Sequence, residues 1–242
     1  MGQRLMCVVA HPDDECFAFG GALALAADRG IETSVLCFTD GQAATHRGSA
    51  ESGTELGETR RREFAESCTV LGVTEHEVLG YHDAQLQNVA LFEATEHLVR
   101  HMRRFQPDVV ITFGSDGGLN SHIDHMMVSF WTTTAFHWAG RSNRFPEITS
   151  VFQPRRLFHL STDAFLPDRQ APLPSPWTAA LDIARVRERK SAAFEKHVSQ
   201  APLMERTKPF FAEHGGTEFY TLVAESDPHP ARLLTDLFES LD

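Results

Sequence analysis

The sequence predicts an α/β fold, a single domain with a mostly parallel sheet flanked by helices, and three observations carry that expectation. Short unbroken apolar runs, Leu5-Met6-Cys7-Val8-Val9 and Val109-Val110-Ile111-Thr112-Phe113, read as strands buried on both faces, as in parallel sheets. Between such runs lie segments with the 3.6-residue periodicity of amphipathic helices. The joining turns are short and rich in Gly and Asp, so strands and helices alternate as they do in crossover units. A chain of 242 residues holds one such domain with a large core and not two comfortable ones, so residues 1–242 are taken as one unit.

Taken in order, the first strand runs into Ala10-His11-Pro12-Asp13-Asp14-Glu15, a strand-to-helix turn. Residues 17–29 have helical spacing, with Gly30 placed as the C-terminal cap. Residues 31–39 read as a second strand closed by the Asp40-Gly41 turn, and the polar, Gly-rich stretch 42–57 reads as a long functional loop. A helix over 59–71, carrying Arg60, Arg61, Arg62 and Glu63, ends at Gly72, and a short strand over 78–80 ends at Tyr81-His82-Asp83. A helix over 91–105 is punctuated by Pro107 before the strand at 109–113. The Gly-rich turn 114–118 then leads to Asn120-Ser121-His122-Ile123-Asp124-His125 and a helix over 126–138, repeating the arrangement at His11. Beyond this the pattern is less regular. It predicts a strand over 156–160, an irregular segment over 166–176 with Pro167, Pro172, Pro174 and Pro176, a helix over 181–197, a strand over 218–223 and a terminal helix over 231–241.

Composition narrows the function classes. A formal charge of -11 disfavours a phosphate-backbone partner, because nucleic-acid binding draws on Lys and Arg to release condensed counterions. The longest apolar stretch, 22–27, is far short of the ~20 residues that span a bilayer. The N-terminus shows no charged leader, apolar segment and cleavage site in succession, and Met6 stands where a myristoylation pattern needs Ser or Thr. Cys7, Cys16, Cys37 and Cys68 form no CxxC pair, so a reducing cytoplasm is the expected location.

The chemistry lies in two strand-end clusters, His11, Asp13 and Asp14 in one and His122, Asp124 and His125 in the other. Imidazole nitrogens and carboxylate oxygens are the ligands of catalytic zinc, which takes three from the protein and leaves a fourth position open. Within one tight turn, residues three apart can point the same way. His11 and Asp14 can therefore hold one ion while Asp13 faces the open position and takes a proton from water. The third ligand comes from the second cluster: one of His122 and His125 coordinates, and the other donates a proton or stabilises an oxyanion. Each cluster alone also reads blandly, as a chance His-x-Asp or as acidic capping of a helix N-terminus. Two clusters behind two buried strands outweigh that reading, because burying so many acids and imidazoles at one sheet edge is costly unless an ion or hydrogen bonds compensate them. Two other functions fit parts of the pattern. His11-x-Asp13 with a distant histidine spells the two-histidine, one-carboxylate site of non-haem iron oxygenases, with Asp13 as ligand. A non-enzymatic nucleotide-binding module would use the acids as caps, although no GxGxxG follows the first strand.

The string Ala10-His11-Pro12-Asp13-Asp14-Glu15, with His122-Ile123-Asp124-His125 about 110 residues on, resembles the zinc-dependent N-acetylglucosaminyl deacetylases of the LmbE-like, or PIG-L, family. Thr39-Asp40-Gly41, Arg60-x-x-Glu63, Leu71-Gly72, Tyr81-His82-Asp83 and Lys196-His197-Val198-Ser199-Gln200 match family landmarks in the family's order, so the resemblance covers most of the chain. It implies one Rossmann-like deacetylase domain over 1–242 and a hydrolase that removes the acetyl group from an N-acetylglucosamine-type sugar or its conjugate. The implied cofactor is Zn2+, with another divalent metal such as Fe2+ as a substitute. The implied partner is a small amino-sugar substrate, with no nucleic acid and no membrane span; oligomeric state, homo-oligomers included, is left open.

Residue by residue, the resemblance implies His11, Asp14 and His125 as metal ligands and Asp13 as the general base. It implies His122 as the group that stabilises the oxyanion or protonates the leaving amine, and Asp124 as the residue that orients a neighbouring imidazole. Arg60 and Asp83 match positions that contact sugar hydroxyls, and His197 matches a late histidine near the pocket. Spacing alone reads Arg60 equally as an ion-pair partner of Glu63, and His197 as a cation at a helix end. The second motif departs from the family's usual Gly-His-Pro-Asp-His at Ser121 and Ile123, and Asp40 stands where Asn is common, adding a negative charge near the site. The 42–57 loop and the Pro-rich segment match no landmark and are the expected seat of substrate specificity.

Overall fold

Seven strands form one sheet in a computed structural model of the chain, which describes residues 2–166, 171, 173–227 and 233–241. In chain order they are β1 (Arg4–Val9), β2 (Glu32–Thr39), β3 (Glu75–Tyr81), β4 (Val109–Thr112), β5 (Arg156–Ser161), β6 (Ala179–Asp182) and β7 (Thr217–Glu225). The helices are α1 (Asp14–Phe17), α2 (Gly20–Asp28), α3 (Gly53–Leu71), α4 (Leu91–Phe105), α5 (Ile123–Ala139), α6 (Arg187–Phe194) and α7 (Ala201–His214). Across the sheet the order is β3-β2-β1-β4-β5-β7-β6. Strands β1 to β5 pair in parallel, and β7 runs antiparallel to both β5 and β6. The mostly parallel, helix-flanked, Rossmann-like architecture expected from the sequence is the one observed.

The strand order explains where the site lies. Helices α2 and α3 carry the chain from β1 out to β2 and β3. From β3 the chain returns past β1, and α4 and α5 lead it to β4 and β5 in the opposite direction. With right-handed crossovers the two helix pairs fall on opposite faces, in keeping with α4 packing on α5 while α6 packs on α2 and α3. Direction reverses between β1 and β4, the switch point at which open α/β sheets form their ligand crevice. Residues Leu5 to Val9 of β1 and Val109 to Ile111 of β4 are fully buried, so these two central strands are rigid platforms for whatever follows them.

Several boundaries differ from expectation, each for a physical reason. The helix expected over 17–29 begins later, at Gly20, with the short α1 ending at Phe17 before it, and a buried carboxylate holds its start: Glu218 accepts the N–H groups of Gly21 at 2.7 Å and Ala22 at 2.9 Å, satisfying the first turn of α2. Helix α3 begins at Gly53 and not at Thr59, which shortens the expected 42–57 loop. The signal was present in Ser52-x-x-Glu55: Ser52 Oγ accepts the Glu55 N–H at 3.1 Å, and Glu55 reaches back to the Glu51 N–H at 2.9 Å.

The helix expected over 181–197 is corrected to β6 followed by the shorter α6. Ala179 and Leu181 alternate inward along β6, and its backbone pairs with β7, so tertiary pairing overrides the local helical spacing. Helix α7 was not expected, because Pro209 lies inside it; Pro202 in its first turn was the readable start signal. The terminal helix is also corrected. Residues 231 and 232 lie outside the described residues, and 233–241 form turns and an isolated bridge from Leu234 to Ala179. Leu234, Leu237, Phe238 and Leu241 are buried there, which accounts for the helix-like apolar spacing. Pro167 and Pro172 of the Pro-rich segment lie outside the described residues, and 173–177 hold no helix or strand. Among the described residues, no helix is long and apolar enough to cross a membrane.

One buried cation organises the α5–β5 connection. Arg103, 1% exposed, donates to the carbonyls of Ala139, Phe145, Ile148, Arg141 and Arg144. Arg103→Met is expected to destabilise the fold by roughly 3–5 kcal/mol, because it strands several carbonyls at once. Urea unfolding measures this; a loss below about 1 kcal/mol would mean that water replaces the guanidinium.

Candidate active site

Strand β1 delivers its acidic turn in an uncommon backbone conformation. Asp13, just before α1, has φ 110°, a region that non-glycine residues rarely occupy and hold only where neighbours over-determine them. Its N–H donates to Glu15 Oε2 at 2.9 Å, and its Oδ2 accepts from Arg60 Nη2 at 3.1 Å. Arg60 also donates to the carbonyls of Pro12 and Gly41. Gly41 has φ 69°, and a Cβ there would overlap the Arg60 guanidinium, so glycine is what lets the arginine reach the turn. Burial raises the Asp13 pKa to about 6, with Arg60 opposing and Asp14 adding to the rise.

Three donor groups converge beside Asp13. His11 Nδ1 lies 3.4 Å from Asp14 Oδ2 and 3.3 Å from His125 Nε2, and His125 Nε2 lies 3.3 Å from Asp14 Oδ1. A tetrahedral zinc with bonds of about 2.0–2.2 Å separates its ligand atoms by roughly 3.3–3.6 Å, so this donor set fits such an ion. The outer nitrogens are engaged as metal-binding histidines require. His11 Nε2 faces Asp83 Oδ1 at 3.0 Å and Asp124 Oδ2 at 3.2 Å, and His125 Nδ1 faces the Gly117 carbonyl at 2.9 Å. Donating through those atoms leaves Nδ1 of His11 and Nε2 of His125 as lone-pair donors toward the centre. Phe113, at the end of β4, stacks on the His125 ring at 3.9 Å with 9° between planes and fixes its orientation.

The cluster also calls for positive charge. Burial alone would lower the His11 pKa, but hydrogen bonds with Asp124, Asp14 and Asp83 raise it well above the ordinary imidazole value. Burial alone would raise the Asp14 carboxyl, but His125 and His11 hold it well below the usual range.

His122 behaves differently from its neighbours. It caps α5, its Nδ1 accepting the Asp124 N–H at 3.2 Å. That bond uses the Nδ1 lone pair and leaves the proton on Nε2, which makes the ring a neutral donor. Burial, with His11 and His125 nearby, lowers its pKa to about 4. The atoms of His11, His122 and His125 lie within 4.8 Å of one another, but the capping bond gives the His122 tautomer the wrong polarity for a ligand. Ser121 before it has φ 52°, a left-handed conformation that non-glycine residues seldom adopt.

A cavity of about 450 Å³ opens over this cluster, lined by His11, Asp13, Asp14, His122 and His125 on its floor. Arg60 and Asp83 reach its wall. Asp83 Oδ2 also accepts the Ala43 N–H at 3.1 Å, joining the 40–52 loop to the His11 side of the floor. Asp124 is fully buried beneath, with its carboxylate on His11 and on the N–H groups of Ala84 and Leu86. His197 lies behind the wall: it is 1% exposed, its Nε2 is 2.7 Å from Glu15 Oε1, and it is absent from the lining. Glu63 pairs with the N–H and hydroxyl of Ser199 at 2.7 Å, so Arg60 is free of it and turned to Asp13. Asp40 stands outside the lining, and its charge is met by Arg61 at 3.3 Å.

Residues 6–136 match the PIG-L family, described as GlcNAc-PI de-N-acetylase. The chain belongs to the PIG-L family. A PIG-L relative, the 1D-myo-inositol 2-acetamido-2-deoxy-alpha-D-glucopyranoside deacetylase of Salinispora arenicola (strain CNS-205), is 29% identical over 91% of this chain and 84% of its own length. Among solved structures, the N,N'-diacetylchitobiose deacetylase of Pyrococcus horikoshii shares the fold with a TM-score of 0.73 at 24% identity, covering 91% of this chain and 84% of that one. The 4-carboxy-2-hydroxymuconate hydratase of Pseudomonas putida KT2440 shares it as well, with a TM-score of 0.72 at 20% identity over 94% of this chain and 98% of that one. The fold therefore serves more than one chemistry, and the residues at the switch point must decide among them.

This PIG-L chain also holds residues that sequence reading passed over. Leu203 and Arg206 of α7 line the cavity. Both escaped notice because α7 itself did. Glu15, given no role from sequence, is fully buried and touches the Asp13 amide, Ser67 and His197.

Proposed function

We propose that this chain is a zinc-dependent, cytoplasmic hydrolase that removes the acetyl group from an N-acetylglucosamine-type sugar or its conjugate, yielding acetate and a free amine, with residues 1–242 as one deacetylase domain. The observation that carries the reading is the convergence of His11 Nδ1, Asp14 and His125 Nε2 at the floor of a cavity, with the Asp13 carboxylate beside them. His11, Asp14 and His125 would hold the ion, which when bound supplies a Lewis acid that polarises the amide carbonyl and acidifies water.

The protein's own groups supply the rest. Arg60 holds one oxygen of Asp13 and leaves the other to accept the proton of the attacking water. His122, neutral and protonated on Nε2, donates to the oxygen that gains charge as the amide carbon becomes tetrahedral. Asp124 and Asp83 hold the His11 ring from behind. The Asp13 carboxyl then returns its proton to the departing nitrogen. Arg60 and Asp83 stand where the family resemblance places sugar hydroxyls, and they reach the cavity wall. The iron-oxygenase alternative needs Asp13 as a ligand, but Asp13 Oδ2 rests on Arg60 and Asp14 faces both imidazoles. The four cysteines, all free and buried, support a reducing compartment.

Acetate release from a panel of N-acetylated sugars and their conjugates tests the reading, using protein stripped of metal and reloaded with zinc or iron. Turnover that returns with about one zinc per chain is expected. No acetate from any substrate with zinc-loaded protein, or oxidant-dependent turnover with iron alone, would overturn it. His122→Ala separates the second histidine's role from its neighbour's: kcat should fall by about 10²–10³-fold with metal content unchanged. Loss of the metal in that variant would make His122 a ligand.

A further inference from the structure

We infer that Glu15, with His197 and Ser67, forms a buried positioning set that holds Asp13 in its left-handed turn and so aims its carboxylate; the inference rests on the reading of Asp13 as the base. The strained φ of Asp13 requires a restraint, and Glu15 Oε2 supplies one by accepting the Asp13 N–H at 2.9 Å. The other oxygen, Oε1, accepts from Ser67 Oγ of α3 at 2.5 Å and faces His197 Nε2, in the connection between α6 and α7, at 2.7 Å. Glu15 and Ser67 are fully buried and His197 nearly so, so no water competes for these bonds.

A buried carboxylate with a single amide donor would be costly, and the hydroxyl and imidazole remove that cost while fixing the glutamate in space. One side chain thus couples the strained amide to two separate elements. From the same turn, Cys16 Sγ donates to the Asp13 carbonyl at 3.0 Å and the Phe17 N–H donates to it at 2.9 Å. Both ends of the Asp13 backbone are therefore held, while Arg60 holds its carboxylate from the cavity side. Ligand-type atoms of Glu15, Cys16 and His197 lie within 4.8 Å of one another, yet both glutamate oxygens already accept and the thiol already donates, so these atoms are engaged in hydrogen bonds and not open to an ion. A displacement of about 1 Å in a reacting group costs on the order of 10²-fold in rate, which is the scale this set protects against.

The test uses full-length zinc-loaded protein carrying Glu15→Gln, Ser67→Ala, His197→Ala or His197→Gln, whose amide N–H reaches where Nε2 stood. Zinc content, kcat and KM for acetate release, and hydrogen exchange of a peptide spanning residues 9–17 are measured together. For Glu15→Gln and His197→Ala, zinc content should hold, KM should stay within about twofold, and kcat should fall at least tenfold or so. Exchange in the 9–17 peptide should quicken about tenfold while an α4 peptide is unchanged, and His197→Gln should recover most of both losses. Unchanged kcat or unchanged exchange in these variants overturns the inference, as does zinc lost in step with kcat. Should Glu15→Gln fail to fold, Ser67→Ala and the His197 pair carry the same comparison. If the unaltered protein deacetylates nothing, the functional reading fails, and exchange alone still decides whether Glu15 holds the turn.

Discussion

Asp13→Asn is expected to lower kcat for acetate release by about 10²–10⁴-fold with metal content unchanged, because the amide keeps the shape of the base and cannot take a proton. The same variant should be the more stable protein once metal is removed. Burial raises the Asp13 pKa to about 6 in the folded chain, above its ordinary value. The folded state therefore favours the protonated carboxyl; that contribution is complete at low pH and is lost as pH rises through about 6. Above that point the ionised carboxylate is a cost that a neutral asparagine does not carry. The expected gain at pH 7 is roughly 1–3 kcal/mol, shrinking to nothing near pH 4. Urea unfolding in a chelator at the two pH values measures it. An ion bound nearby favours the carboxylate, so the acid limb of kcat/KM is expected at or below pH 6 in the loaded enzyme. Loss of the metal from Asp13→Asn would instead make Asp13 a ligand and reverse the division of work between the two aspartates.

Asp14→Ala should abolish both metal binding and turnover, the second by at least about 10³-fold. Each oxygen of Asp14 faces a different imidazole, at 3.4 Å for His11 and 3.3 Å for His125, so its removal opens two edges of the donor triangle. Asp124→Asn provides the contrast. It leaves the triangle intact and weakens the support behind His11 together with one of the bonds to the Ala84 and Leu86 N–H groups, so metal affinity should fall by about 10–100-fold with saturable activity retained. Metal titrations monitored by elemental analysis and by turnover separate the two outcomes. If both variants behaved alike, Asp124 would belong with the ligands.

Much of this was readable from the chain because the chemistry is compressed. His11, Asp13 and Asp14 sit within five residues of the end of β1, and His122, Asp124 and His125 follow β4; both strands declare themselves as apolar runs, and their adjacency follows from alternating elements and right-handed crossovers. Less local features were hidden. Strand β6 depends on β7, nearly 40 residues later, and its own sequence also suits a helix. The segment at 233–241 has helical apolar spacing because four of its side chains reach the core, and the spacing cannot say that they do so from turns. Glu15 looked idle because its partners Ser67 and His197 are 52 and 182 residues away. Which of His122 and His125 can serve as a ligand turned on a single capping bond to Nδ1, which no spacing of residues encodes.

The close approach of Arg60 to Gly41 has an evolutionary corollary. Because the guanidinium occupies the space of any side chain at position 41, that position is not free to change while Arg60 stays. A larger residue at 41 would expel the arginine from Asp13, whereas a shorter residue at 60 would free the space and leave only the φ of 69° to favour glycine. Among related chains a side chain at 41 should therefore be found only where the arginine is missing, and there the base must be held in some other way.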